Sequence, residues 1–451
     1  MNPAPPVTST RTGGTLARIA RPRQRTQGGR GAGDDVGRPA EDVALAPRSW
    51  TTACYACGRV SAPKTDSPTV TFVLGTRPEA VKLAPVIHAA AAHDDWRVRL
   101  CSSGQHRELL RPFLDTFALV PDVELDVMVP GQSLGALLGA VVTAVERVIV
   151  AEAPALLVVQ GDTTTVLGAA LAAAQQRVPV AHVEAGLRTH DRSAPFPEEN
   201  NRVLVGQLAA LHLCPSRRAC DNLAREGVDP SRVVLTGNTV VDAVRWIRAR
   251  APEGDLRERA AVLPSLRDDA KLVLVTGHRR ESFEGGLARV CQALRELAAA
   301  HPEVDFVYPV HLNPHVRAEV ARGLGDLANV HLVAPVGYAT SIWLIARAHL
   351  VITDSGGIQE EAPELGKPVL VTRVATERPE AVEMGAAKIV GYEPEVLVAH
   401  AHAWLADAEA YAAVVPRRNP FGDGLAAARC VAAMRRQLGL PVDDVPPWSQ
   451  A

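Results

Sequence analysis

The chain has 451 residues, 47% of them hydrophobic, and a formal net charge of -2. That length can bury two cores, so two domains are expected, and the near-neutral balance excludes bulk-charge binding to nucleic acid or an anionic membrane. Seven scattered cysteines, an odd number, point to free thiols in a reducing, cytoplasmic compartment rather than to a disulfide framework. No apolar run reads as long enough to span a bilayer.

Residues 1–68 stand apart. They are rich in Arg, Gly, Pro, Thr and Ser and show no sustained apolar period, so a disordered N-terminal extension is expected. Their composition is that of a transit peptide, but no amphipathic period supports one, and a start codon upstream of the true one is the preferred reading. Cys54 and Cys57 form a lone C-x-x-C, for which chance is a better explanation than zinc.

The folded chain is expected to start at Thr69 with a strand, a turn at Gly75 and a helix opened by Pro78. Arg77 and Lys82 flank that helix start, the arrangement of an anion site. A strand at Val98–Ser103 leads into Gly104-Gln105-His106, and Leu134–Val150 reads as an amphipathic helix. The stretch from Ala155 to Arg202 organises the rest. Strand Leu156–Val159, helix Thr163–Gln175 and strand Val178–Val183 make a βαβ unit of a parallel sheet. Asp162 and Glu184 end its strands, where open α/β sheets place their ligand crevice. Pro197-Glu198-Glu199 adds further carboxylates, beside Arg188 and Arg202. Converging acids fit general acid–base work; Asp162 as a helix N-cap and the others as solvated loop acids is the competing reading.

A second series starts at Lys271 and repeats the plan of strand, Gly277, the cations His278, Arg279 and Arg280, and helix. A strand ends near His311, and Leu350–Thr353 runs into Asp354-Ser355-Gly356-Gly357 and a helix Ile358–Leu365. Glycines at a helix start let backbone N–H groups approach a phosphate. The last strand, Val369–Thr372, is followed by Glu377 and Arg378, and a final helix covers Leu425–Gln437. The pattern predicts an α/β protein with two Rossmann-like, doubly wound domains and a cleft between them. Residues 69–238 would carry the acids, 239–418 the anion site, and 419–451 a helix packing back on the first domain. No G-x-G-x-x-G fingerprint, P-loop or paired-His cluster points to NAD, ATP or a metal, so no cofactor is expected.

Ten ordered segments carry a resemblance: GTRPEAVKLAP, GQHRELL, QGDTTT, HVEAGLRT, PFPEENNR, TGNTVVDA, TGHRRESF, VYPVHLNP, TDSGGIQEEAPELGKPVLV and TERPEAV. With them the chain resembles the non-hydrolysing UDP-N-acetylglucosamine 2-epimerases, from about Thr69 to the C-terminal helix. The resemblance implies a glycosyltransferase-B-like fold and C2 epimerisation of UDP-N-acetylglucosamine to UDP-N-acetylmannosamine. UDP would be eliminated and re-added to a glycal, in the service of cell-surface polysaccharide synthesis. It places acid–base carboxylates at Asp162, Glu184 and Glu198, and the leaving-group histidine at His278. Contacts to UDP fall on Arg77, Lys82, Ser355, Gly356, Gly357, Glu361 and Arg378. A regulatory second-substrate site, as in some bacterial members, would touch Gln105 and His311, and a homodimer is implied.

One position departs from the family. Members place an aromatic ring before a helix of the second domain, to stack on uracil, and Ser341 matches it here, with Tyr338 or Trp343 as substitutes after a register shift. Three other functions share the fold: a 2-epimerase for a UDP-diacetamido-uronic acid, a UDP-sugar glycosyltransferase, and a non-catalytic sensor. A sensor would have lost one of Asp162, Glu184, Glu198 and His278, and all four are present.

Overall fold

The computed structural model describes residues 67–262, 266–267, 269–277 and 285–449. The expected extension up to residue 66, with Cys54 and Cys57, lies outside them, as do His278, Arg279 and Arg280. Two parallel α/β sheets form, the fold class read from the sequence.

The first sheet comprises β1 (Thr69–Leu74), β2 (Arg97–Ser102), β3 (Val123–Glu124), β4 (Leu156–Gln160), β5 (Val180–Val183), β6 (Leu211–Cys214) and β7 (Val233–Leu235). Their spatial order is β3-β2-β1-β4-β5-β6-β7. The second comprises β8 (Leu272–Thr276), β9 (Asp305–Pro309), β10 (Val330–Val333), β11 (Leu350–Thr353), β12 (Val369–Val371) and β13 (Ala387–Ile389), ordered β10-β9-β8-β11-β12-β13. The sequence reading missed β3 and β13, which are too short to show a period. Helices cover both faces, so strand interiors are largely apolar: Leu156, Leu157, Val158 and Val159 of β4 are all fully buried. In each sheet the order reverses once, between β1 and β4 and between β8 and β11, which opens a crevice at the carboxyl ends.

One apolar cluster runs through both halves. It extends from Phe72 and Leu74, through Val240 and Val244 of helix Thr239–Arg250, to Ile342 and Val351. The chain then returns near Phe421 to the first half. There helix Ala426–Gln437 buries Cys430, Val431 and Met434 in the same cluster. Arg435 of that helix grips Asp95 with Nη1 at 2.6 Å and Nη2 at 2.7 Å, and Ala427 N donates to Asp242 Oδ1 at 3.0 Å.

Helix Leu134–Glu152 corrects one expectation. By length and composition it is apolar enough to cross a membrane. Its inner face, Leu137, Val141, Val145, Val148 and Ile149, packs in the cluster that also contains Val166, Ala169 and Ala170 of helix Thr164–Gln175. Its outer face leaves Leu134 47% and Val150 68% exposed.

Candidate active site

The loop after β1 is built by crowding rather than by a left-handed turn. A Cβ on Gly75 would come within 2.2 Å of Ser103 Oγ and 2.7 Å of Thr165 Oγ1. One turn on, buried Glu79 folds back to accept from Gly75 N at 2.5 Å and Thr76 N at 2.7 Å, and from Thr163 Oγ1 at 2.5 Å. Burial pushes its carboxyl up to about 7. Glu79 thus ties the loop after β1 to the residue that follows Asp162. Arg77 is exposed at the start of helix Arg77–Ala91, its guanidinium 5.8 Å from the Phe113 ring centre, whereas Lys82 is buried.

Gly161, at φ +81, turns the chain out of β4 and presents Asp162. The neutral ring of His182 fixes this turn: its Nε2 donates to Gly161 O at 2.7 Å, and burial pulls the imidazole down to about 4. Arg202 holds the Asp162 carboxylate, with Nε at 2.8 Å and Nη2 at 2.7 Å from Oδ2. Asn201 Nδ2 donates to the Asp162 carbonyl at 2.7 Å. Glu199 braces this arrangement. It accepts from Thr189 N (3.1 Å), His190 N (3.0 Å) and Arg202 Nη1 (3.1 Å). Burial acts to raise the Glu199 carboxyl, but these donors outweigh it and hold it below the usual range. Its neighbour Glu198, at the start of helix Glu198–Leu208, is half-buried and makes no hydrogen bond or ion pair among the described residues. Arg188, placed beside the acids from sequence, is engaged elsewhere: it grips Glu226 at 2.7 and 2.8 Å.

Glu184 ends β5 in a left-handed conformation, φ +65, a strained choice for a residue with a side chain. Its carboxylate takes Lys82 Nζ on Oε1 and Gln160 Nε2 on Oε2. Lys82 Nζ also lies 3.0 Å from Glu360 Oε2, and Glu360 Oε1 accepts from Arg378 Nε. Two carboxylates and two cations, with side chains at most 13% exposed, therefore make one chain of charges that crosses between the halves. Burial raises Glu184 above the usual carboxylate range, with Lys82 opposing and Glu360 adding to the rise. Burial acts on Glu360 in the same sense, but Arg378 and Lys82 overcome it and hold that carboxyl low. A second crossing contact sets Glu377 Oε2 3.9 Å from Arg202 Nη2.

From the second half, Ser355 caps helix Gly356–Glu361, which starts two residues earlier than the sequence reading placed it. Gly356 and Gly357 therefore lie in its first turn, where backbone N–H groups lack helical partners. Ser355 N donates to Thr353 Oγ1 at 3.0 Å. Burial pushes the Glu361 carboxyl up to about 7. His278 lies outside the described residues. Gln105 accepts from Thr165 Oγ1 at 2.7 Å, while His311 is exposed beyond β9, its Nδ1 accepting from Asn313 N at 3.1 Å. Among the described residues no group of three or more His, Cys, Asp or Glu is arranged to hold a metal ion.

Ser341 needs a correction of place. It sits inside helix Tyr338–Arg347, half-buried, rather than ahead of it. Both substitute rings are already engaged. Tyr338 packs on Phe113 and Phe117, with centroids 5.9 and 5.6 Å away, and Arg259 lies 3.9 Å over Trp343. Sequence reasoning also missed Glu360, Glu79 and the clamp made by Gln160. A polar residue closing the apolar run of β4 was a usable signal for Gln160. Nothing local distinguished Glu360 from Glu361 beside it.

The family model described as UDP-N-acetylglucosamine 2-epimerase matches residues 88–435. The UDP-N-acetylglucosamine 2-epimerase of Escherichia coli strain K12 is 47% identical over 368 residues, covering 81% of this chain and 98% of that protein. A probable UDP-N-acetylglucosamine 2-epimerase of Ralstonia nicotianae is 49% identical over the same length and with the same coverage. The crystal structure of the Neisseria meningitidis UDP-GlcNAc 2-epimerase bound to UDP-GlcNAc superimposes with a TM-score of 0.77 at 39% identity, covering 82% of this chain and all of that one. With a family model over most of its length and relatives this close, the chain belongs to the UDP-N-acetylglucosamine 2-epimerase family.

Proposed function

We propose that the chain interconverts UDP-N-acetylglucosamine and UDP-N-acetylmannosamine by eliminating UDP across C1–C2 and adding it back to a glycal. The observation that carries this reading is the placement of Glu184. It is a carboxylate 9% exposed at a strand end, held by Lys82 and linked through it to Glu360 of the other half. A C2 proton is barely acidic, so its removal needs both a fixed base and a stabilised leaving group.

In this reading Glu184, ion-paired to Lys82, takes the C2 proton on one face. Asp162, oriented by Arg202, and Glu198, against which no cation is held among the described residues, serve the opposite face. Two faces require differently placed groups, which accounts for more than one carboxylate. The β-phosphate of the departing UDP would rest on Ser355, Gly356 and Gly357, with Arg77, Lys82 and Arg378 as nearby cations. Glu361 would contact UDP, and the family pattern gives His278 the charge on the leaving oxygen. Gln105 and His311 are the proposed contacts of a second, activating substrate molecule. The exposed face of helix Leu134–Glu152, with Leu134, Gly135, Gly139 and Val150, fits a second copy of the chain, so the working unit is a homodimer. We place it in the cytoplasm, supplying an N-acetylmannosamine donor for cell-surface polysaccharide.

The test is turnover of UDP-N-acetylglucosamine alone in D₂O, with ¹⁸O in the C1–O–P bridge. Deuterium at C2 of the product and scrambling of ¹⁸O into the phosphate are expected, with no acceptor sugar, NAD or metal added. Epimer that retains protium at C2 without scrambling would overturn elimination. A glycosyltransferase would give neither signal without an acceptor.

A further inference from the structure

We propose that Glu360 is a positioning residue of this reaction, reaching from the second half to set the charge state of Glu184 through a shared Lys82. The proposal rests on the reading of Glu184 as the base.

Glu360 is 1% exposed, too deep to meet solvent. It lies on helix Gly356–Glu361, in the half opposite the acids, and its two oxygens face two different cations. Oε1 takes Arg378 Nε, and Oε2 lies 3.0 Å from Lys82 Nζ. Lys82 is therefore divided between two carboxylates, one from each half. The charged groups facing Glu184 among the described residues are Lys82 from helix Arg77–Ala91, Glu360 from helix Gly356–Glu361 and Arg378 from the loop before helix Pro379–Glu383, with Glu377 beside Arg378. Its uncharged partner is Gln160.

The consequence follows from the sum of charges. With Glu360 present, the two cations are offset by two carboxylates, and Lys82 is not spent on Glu184 alone. Without the Glu360 charge, both cations act on Glu184 in a site that screens little. Glu184 would then bind a proton less readily and be a poorer base. Because Glu360 belongs to the second half and Glu184 to the first, this balance exists only while the two halves are apposed. Apposition of the halves and basicity of the catalytic carboxylate are therefore linked through one ammonium group.

The experiment compares pH profiles of kcat/KM for UDP-N-acetylglucosamine, which report the free enzyme. Glu360→Gln should move the acidic limb down by about one pH unit and lower kcat, since like and opposite charges at this range shift a carboxyl by that order. Lys82→Met should move the same limb up. Glu360→Asp, which keeps the charge, should restore the limb to the wild-type position even if kcat stays reduced. Thermal melts and UDP calorimetry check that each variant folds and binds. An unmoved limb in Glu360→Gln, or shifts of one sign in Glu360→Gln and Lys82→Met, would overturn the proposal. Should Glu360→Gln not fold, a limb in Lys82→Met that stays put or moves down would do the same. Glu184→Gln separates the two readings: if it retains turnover, the assignment of Glu184 as base fails, whatever Glu360 does.

Discussion

The two sheets present their carboxyl edges to one another with the same order in their first six strands and opposite chemistry. In the first, β4 and β5 each hand the chain to an acid, Asp162 and Glu184, which Arg202, Lys82 and Gln160 aim or charge. In the second, β11 leads into Ser355-Gly356-Gly357, where the proposed anion contact is the backbone itself. The acid edge depends on side chains held by partners and is sensitive to single atoms. The glycine edge depends on the absence of side chains. Lys82 nonetheless joins the two edges, since it meets Glu184 of the first and Glu360 of the second.

Breaking the acid edge has the largest expected effect. Asp162→Asn, Glu184→Gln and Glu198→Gln keep shape and remove the acid–base function, so each should lower kcat by roughly 10²-fold or more. Circular dichroism and melting should change little, and near-normal turnover in all three would refute the proposed roles. Next comes the aim of Asp162. Arg202→Lys loses the paired Nε and Nη2 contacts and should lower kcat about tenfold with a smaller change in KM, since misplacement costs rate more than binding.

In the second half, binding effects are expected instead. Ser341→Phe should tighten UDP by about 1 kcal/mol if a ring there meets the base, read by calorimetry, with epimerisation chemistry unchanged. Weaker or unaltered binding would mean that another group already covers the base. The smallest effect concerns stability of the first sheet. His182 and His212 sit opposite each other on β5 and β6, and burial pulls them down to about 4 and 3 from an ordinary 6.5. A histidine depressed in the fold contributes stability above its unfolded pKa and loses it as pH falls toward the folded one. The melting temperature should therefore decline between pH 6.5 and about 4, and less so in His212→Leu. Equal declines in both proteins would show that these rings do not govern the acid limb of stability.

Much of this was legible from the sequence, for stated reasons. Buried parallel strands are short apolar runs, so β4 and β11 could be placed to within a residue, and strand ends locate the crevice without any structure. The acids Asp162 and Glu184 were legible because each follows such a run. Side-chain partnerships were not. Arg188 and Arg202 look equivalent in sequence, yet one braces Glu226 and the other Asp162, a choice made by which face of the loop each occupies. Glu360 and Glu361 differ only by 100° around a helix, and that rotation decides which one meets Lys82. Helix Leu134–Glu152 reads as an ordinary amphipathic helix because Thr143 and Arg147 punctuate its outer face, although Leu134 and Val150 lie there too.

The return of the chain near Phe421 makes the first half discontinuous in sequence. Its core needs residues 69–250 and, after an excursion through the second sheet, Cys430, Val431 and Met434 as well. No single cut can release it whole. A fragment spanning residues 67–250 would expose the wall of helix Arg77–Ala91 that helix Ala426–Gln437 covers, and would leave Asp95 without Arg435. The second half, by contrast, is an insertion whose two ends both lie on the first. Heat or denaturant should then melt both halves in one cooperative transition, and a peptide spanning residues 419–449, supplied in trans, should rescue the solubility of the truncated first half.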